Sequence, residues 1–234
     1  MSHQLAISLS NVGAYYWRQE GYFRRSRYWA LNNVSFNLYH SESLGVIGRN
    51  GAGKSTLLQL LAGIIKPDRG ELVNYGVTAS LLSLQLGFIP YLTGRQNAYL
   101  SGLLLGLEKS LIAERIEEIK AFSELGDFFE QSINTYSSGM KARLGFSVAF
   151  QLDPDILLVD EVLGVGDSEF RTKSADMMRK KIRSDKTIVL VSHNPLMIKQ
   201  LCDRAIWIEK GVVQAEGSTD EVIRAYEARA NASK

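Results

Sequence analysis

The stretch "GVIGRNGAGKST", Gly45 to Thr56, limits what this chain can fold into more than any other part of it. It holds four glycines, one lysine and two hydroxyls between an apolar run and a run of helical length. Gly48, Gly53, Lys54 and Ser55 satisfy the spacing G-x-x-x-x-G-K-[ST]. With glycine at about 7% of residues, a chance match in a chain of this size is on the order of 1%. "SLGVIG" before it reads as a short strand covered on both faces, and "TLLQLLAGI" after it reads as a helix. Such a turn aims unsatisfied N–H groups and the positive end of a helix dipole at one point, which suits the dense negative charge of a triphosphate. Glycine lets the backbone wrap a phosphate without a Cβ clash. Gly48, Asn50, Gly51, Ala52, Gly53 and Thr56 are therefore expected to line the phosphates of a bound nucleoside triphosphate. Lys54 supplies a mobile charge between the β- and γ-phosphates, and Ser55 a hydroxyl to Mg²⁺.

Two further groups fit the same chemistry. "ILLVDE" puts Asp160 and Glu161 at the C-terminal end of an apolar strand, where α/β sheets carry their ligand sites. Asp160 is expected to hold Mg²⁺ through its water shell, and Glu161 to orient and deprotonate an attacking water. His193 ends "TIVLVSH" at the equivalent edge of another strand, placed to contact the γ-phosphate and that water.

Along the chain, residues 4–12 and 30–39 read as strands by alternation, and the aromatic, basic segment between them reads as an elaborated loop. "KPDRGE" reads as a turn. From Thr93 to about Leu152 the pattern is helical, with "GRQNAYLSGLLLGL", "SLIAERIEEIKAFSEL" and "KARLGFSVAFQL" as candidates. A helical block between buried strands suggests an inserted helical subdomain. "DILLVD" and "KTIVLVSH" return to strand, "AIWIEKGVVQAEG" to a hairpin turning at Lys210-Gly211, and Ser218 with Glu221 has the spacing of a capping box.

Composition excludes several classes. With 27 basic against 25 acidic residues the balance does not mark a nucleic-acid binder. The single cysteine, Cys202, forms no internal disulfide, which favours a reducing compartment. The start "MSHQLAISLSNV" lacks the pattern of a secretory signal. Residues 72–94 carry no charge over the length of a membrane span, but Asn74, Gly76, Ser80, Gln85, Gly87 and Pro90 argue against insertion, so a soluble chain is expected.

The order of glycine loop, helical block, "YSSGM", "ILLVDE", "GVGD" and "VSH" resembles the nucleotide-binding subunit of an ABC transporter over essentially the whole chain. "ALNNVSF", "IGRNGAGKSTLL", "LTGRQNAYL" and "TYSSGMKARLGFSVAF" resemble, more narrowly, the ATPases that export O-antigen, capsule or teichoic acid polymers. The resemblance implies an α/β fold: a P-loop NTPase (RecA-like) core with an N-terminal antiparallel β subdomain and an inserted helical subdomain at about 93–152, all in one ABC ATPase domain over 1–234. The family's signature, usually Leu-Ser-Gly-Gly-Gln, falls on Tyr136 to Met140, so Ser137 and Gly139 inherit the grip on the γ-phosphate bound to a second copy of the chain. Tyr16, or its neighbour Tyr15, is the aromatic expected against adenine. Gln85 matches the family's loop glutamine, a ligand to Mg²⁺ that couples to the membrane partner, and Asp167 fits the loop that crosses the dimer interface.

The same resemblance implies a homodimer working with two copies of an integral membrane permease, on the cytoplasmic face of the inner membrane, with a lipid-linked polysaccharide as cargo and no nucleic acid. The neighbourhood of Phe88, Pro90 and Tyr91 is expected to receive a short permease helix. Arg24, Arg25 and Arg27, in the segment Trp17 to Trp29, would meet anionic headgroups or a lipid-linked phosphate, or simply line a solvated loop. No C-terminal carbohydrate-recognition domain is expected after the last helix. A non-transport ABC ATPase, or a P-loop kinase, is the competing class. The kinase has no use for "YSSGM" or His193.

Overall fold

The computed structural model describes residues 4–20, 25–82, 88–105, 107–160 and 166–232. In chain order the strands and helices are β1 (Leu5–Gln19), β2 (Arg25–Tyr39), β3 (Ser43–Ile47), α1 (Lys54–Leu61), β4 (Arg69–Asn74), β5 (Ala79–Leu81), α2 (Gly94–Leu104), α3 (Lys109–Ser123), α4 (Ser138–Gln151), β6 (Ile156–Asp160), α5 (Ser168–Ile182), β7 (Thr187–Ser192), α6 (Pro195–Leu201), β8 (Arg204–Glu209), β9 (Val212–Ser218) and α7 (Thr219–Ala232). Two compact units emerge, Met1–Val77 with Ile182–Lys234, and Thr78–Lys181.

The first unit holds two sheets. β2, β1 and β4 form an antiparallel sheet in that order. β3 lies between β7 and β8, parallel to both, and β9 closes antiparallel on β8. All five residues of β3 and all six of β7 are buried, which explains why both read as unbroken apolar runs without alternation. The β8–β9 hairpin turns on Lys210 and Gly211 at φ of 51° and 76°, the left-handed pair that a two-residue turn requires. The capping box of α7 forms as the spacing predicts: the Glu221 amide donates to the Ser218 hydroxyl oxygen, and the Ser218 amide to the Glu221 carboxylate at 3.3 Å.

The segment expected to be a loop between residues 12 and 30 is strand on both sides. β1 continues to Gln19 and β2 begins at Arg25, with Tyr15 opposite Trp29, Tyr16 opposite Tyr28 and Trp17 opposite Arg27. The alternation was hidden by register shifts between Leu9 and Val12, Val12 and Ala14, and Ala14 and Tyr15, helped by left-handed Asn11 and Asn33. Each bulge moves the next side chain to the other face, so a period of two cannot be followed across it. Residues 21–24, with Arg24, lie outside the described part.

In the second unit β5 pairs parallel with β6. Helices α2, α3 and α4 enclose a core of Ala98, Ile112, Ile116, Ile119, Phe129, Ile133, Leu144 and Val148. Two short 3-10 turns, Gly126–Glu130 and Ile133–Thr135, lead from α3 to α4. A second cluster stacks Phe122, Phe146 and Phe150 with Phe170 edge-on. α5 was not anticipated. Its sequence is mostly polar, and its buried face is Phe170, Ser174, Met178 and Ile182, four residues apart each time, with a serine interrupting the apolar stripe.

Among the described residues no helix is long and apolar enough to cross a membrane.

Candidate functional site

Helix α1 begins directly after the glycine loop, and its N-cap is Gly53 at φ 106°, with no side-chain cap. The first-turn N–H groups are therefore offered outward, not satisfied by a serine or aspartate. A Cβ on Gly53 would lie 2.3 Å from the Ala30 carbonyl, and one on Gly48 would lie 2.2 Å from the Ile208 carbonyl. Around Gly51, also left-handed at φ 79°, nothing lies within 4 Å of a Cβ. The loop is thus pressed against its own unit at both ends and open in the middle. Two backbone bonds fix it there: the Gly211 amide donates to the Ala52 carbonyl at 3.0 Å, and the Asn32 amide to the Gly211 carbonyl at 2.6 Å.

Lys54 is buried, and its Nζ donates to the carbonyls of Gly48 at 2.8 Å and Arg49 at 3.1 Å. An ammonium held inside a ring of backbone, beside uncapped amides, fits a bound polyphosphate. Ser55 is exposed in the first helical turn, and Thr56 is buried behind it. Asn50 is exposed and Ala52 buried on the loop itself.

The β3–β7 register pairs Ile47 with Ser192, so Gly48 and His193 leave the sheet side by side. His193 is exposed just before α6, whose N-cap, Asn194, accepts the Leu196 amide at 3.0 Å. The register therefore sets His193 beside Gly48, the first residue of the glycine motif.

Of the two candidate tyrosines, Tyr16 is the more exposed. Its hydroxyl lies 3.1 Å from Gln59 Oε1, to which it donates, and 3.4 Å from Thr56 Oγ1, both on α1, and 44% of the residue is exposed. Tyr15 packs edge-on against Trp17 and Trp29, with the Arg27 guanidinium 4.9 Å from its ring centroid, so its faces are occupied. Tyr28 was not among the expected residues. It sits opposite Tyr16 on the same face of the hairpin, and its hydroxyl donates to the Gly51 carbonyl at 3.4 Å. Only knowledge of the β1–β2 pairing could have found it.

In the second unit Ser137 is the exposed N-cap of α4, its hydroxyl oxygen accepting the Met140 amide at 3.1 Å. Gly139 is in the first turn, and a Cβ there would meet only Ser137 Oγ, at 3.7 Å. This is a second helix N-terminus open to an anion. Asp160 is the last residue of β6 and part-exposed. Glu161 and Gln85 lie outside the described residues. Asp167 caps α5, accepting the Phe170 amide at 3.1 Å, and pairs with Arg143 of α4. Arg143's hydrogen bond, with the Phe170 amide after it, holds the Asp167 carboxyl below its usual range. Arg143 also donates to Glu124 at 3.1 Å and lies 4.9 Å from the Phe170 ring centroid. The Asp167 side chain is thus engaged within its own unit.

No group of three or more His, Cys, Asp or Glu is placed to hold a metal among the described residues. A divalent cation here would rest on a hydroxyl, a carboxylate, water and the phosphates themselves, the usual set for Mg²⁺.

Residues 31–164 match the ABC transporter family profile. Over 200 residues, 86% of this chain and 81% of the relative, the chain is 47% identical to the O-antigen export system ATP-binding protein RfbB of Klebsiella pneumoniae. It is 42% identical over 86% of its length, and 59% of the relative's, to the teichoic acids export ATP-binding protein TagH of Listeria monocytogenes serotype 4b. Among solved structures, a dimeric bacterial ABC transporter cassette matches with a TM-score of 0.71 at 25% identity, covering 91% of this chain and 98% of that one. With the family profile matched over more than half of its length and a relative 47% identical over 86% of it, the chain belongs to the ABC transporter family.

Proposed function

We propose that this chain is the ATP-binding and hydrolysing subunit of an exporter that moves a lipid-linked polysaccharide across the inner membrane. The observation that carries it is Lys54, folded into the loop carbonyls beside an α1 N-terminus that no side chain caps. In this reading the loop from Gly48 to Thr56 holds the phosphates of ATP, Tyr16 stacks on the base, and Ser55 and Asp160, with Gln85, hold Mg²⁺. Bound Mg²⁺ supplies charge neutralisation at the phosphates. Glu161 takes the proton of the attacking water, and His193 steadies the γ-phosphate and that water. Ser137 and Gly139 grip the γ-phosphate bound by the other copy, so two nucleotides join two chains and hydrolysis releases them. Asp167, in the loop that crosses the dimer interface, joins the nucleotide contacts there.

The cargo assignment draws on relatives named for O-antigen and teichoic acid export. Capsule, teichoic acid or another lipid is the alternative cargo within the same mechanism. The permease would dock at Phe88, Pro90 and Tyr91, where Tyr91 is 75% exposed, which sets the subunit peripherally on the cytoplasmic face. The helices α2 to α4 would form the inserted helical subdomain. Deletion of this gene, scored for surface glycan and complemented by wild type and Lys54→Ala, tests the reading. Complementation by Lys54→Ala, or unchanged glycan on deletion, contradicts it.

A further inference from the structure

The first position of the signature, Tyr136, has no role in gripping phosphate, yet it is more firmly held than its neighbours. It is 5% exposed, while Ser137 and Ser138 beside it are exposed. Its phenol donates to the Phe128 carbonyl at 2.6 Å. Gly94, the first residue of α2, lies directly over the hydroxyl: a Cβ there would sit 2.4 Å from the phenol oxygen. Burial pushes the phenol up to about 12, so it remains a donor throughout the physiological range.

The residues before Tyr136 are zipped to the strip that carries the exposed Tyr91. The Pro90 carbonyl accepts the Asn134 amide at 3.0 Å and the Ser132 hydroxyl at 2.8 Å. The Leu92 carbonyl accepts the Ile133 amide at 3.0 Å, the Gly94 amide donates to Gln131 at 3.2 Å, and Thr93 bridges Ser132 antiparallel. Asn97, 1% exposed, braces the strip from behind through the carbonyls of Ile89, Leu92 and Thr93. Tyr136 is the last link before Ser137, and its backbone amide donates to the Ile133 carbonyl at 3.1 Å.

We propose that Tyr136 is a positioning residue for Ser137: its phenol, fastened to Phe128 beneath Gly94, makes the signature turn move as one piece with the strip Pro90 to Gly94. A displacement of that strip is then delivered to the Ser137 hydroxyl and the α4 N-terminus without slack. The inference rests on the reading that Ser137 grips the γ-phosphate of the other copy.

Tyr136→Phe removes only the hydroxyl, and the Phe128 carbonyl keeps the Gln131 amide at 2.8 Å, so no buried acceptor is orphaned. The full-length subunit is compared with Tyr136→Phe, Gly94→Ala and Ser137→Ala in turnover, nucleotide affinity at the Lys54 loop, melting temperature and hydrogen exchange at the Met140 amide. Tyr136→Phe should lower kcat roughly fivefold and speed Met140 exchange, with nucleotide affinity unchanged and the melting temperature lowered by no more than about 4 °C. Gly94→Ala, which crowds the phenol, should act in the same direction. Wild-type kcat in Tyr136→Phe while Ser137→Ala shows its roughly tenfold loss overturns the proposal and leaves the phosphate grip standing. A fall in melting temperature that accounts for the lost turnover also overturns it, because Tyr136 is then only a core residue. Full turnover in Ser137→Ala sinks the underlying reading, and the proposal with it.

Discussion

The glycine loop and the Ser137 turn each present a helix N-terminus, but they are built by different means. The loop is backbone pressed on backbone: Gly48 and Gly53 touch neighbouring carbonyls where no side chain fits, and its lysine, Lys54, is buried among carbonyls. The Ser137 turn is exposed, capped by its own hydroxyl, and tied outward by side chains of the turn and its helix, Tyr136 to Phe128 and Arg143 to Asp167 and Glu124. A rigid cradle suits a group that binds first and stays. A turn hung on side-chain links suits one that must arrive with a second chain and leave again.

Substitutions sharpen that contrast, and the largest effect belongs to the rigid half. Lys54→Ala should weaken nucleotide binding roughly a hundredfold, the scale of a buried charged hydrogen bond, and abolish turnover. Equilibrium titration with nucleotide checks it, and unchanged affinity would remove the lysine from the site. Glu161→Gln should leave affinity intact and cut turnover by about a hundredfold or more, as loss of a general base does. It should also accumulate ATP-bound dimer on a sizing column.

On the Ser137 half, Ser137→Ala should lower turnover about tenfold with affinity at the Lys54 loop unchanged, since that serine is not needed for the first binding event. Equal losses in both quantities would erase the distinction between the halves. Tyr16→Ala should weaken nucleotide about tenfold, the scale of base stacking, whereas Tyr15→Ala should not, because its ring is already packed against Trp17, Trp29 and Arg27. A reversed result would exchange their roles.

The contrast also explains what the sequence could show. The loop is legible because its chemistry is local: β3, the glycines, Lys54 and the start of α1 are contiguous, and burial of every β3 residue leaves an unbroken apolar run. The links around Ser137 join residues far apart, Arg143 to Asp167 across 24 positions and Arg95 to Glu130 across 35, and no spacing rule reaches that far. Tyr28 was hidden for a third reason. Bulges near Asn11 and Asn33 broke the alternation that would have announced the hairpin and placed it opposite Tyr16.

The smallest effect is electrostatic. Arg95 donates to both oxygens of Glu130 at 3.0 and 2.8 Å, and with Lys120 it outweighs the opposing desolvation and holds that carboxyl at about 2. A depressed carboxyl stabilises the fold above its ordinary value of 4.5 and loses that contribution as pH falls toward 2. Because the pair is part-exposed, Glu130→Gln should lower the melting temperature at neutral pH by only about 2 °C. The gap from wild type should close between those two pH values, and a gap that does not narrow would show that the pair is not titrating.

The central claim is that each nucleotide lies between two chains, one giving Lys54 and the other Ser137. Cysteine cross-linking reads it directly, because the native Cys202 is buried and its thiol pushed up to about 12, so it contributes no background. With Arg49→Cys and Ser138→Cys, both at exposed positions flanking the two cradles, in the Glu161→Gln protein, ATP should drive formation of a disulfide-linked dimer and its absence should prevent it. Saturating nucleotide binding with no cross-link, together with full turnover by the wild-type monomer, would contradict the account.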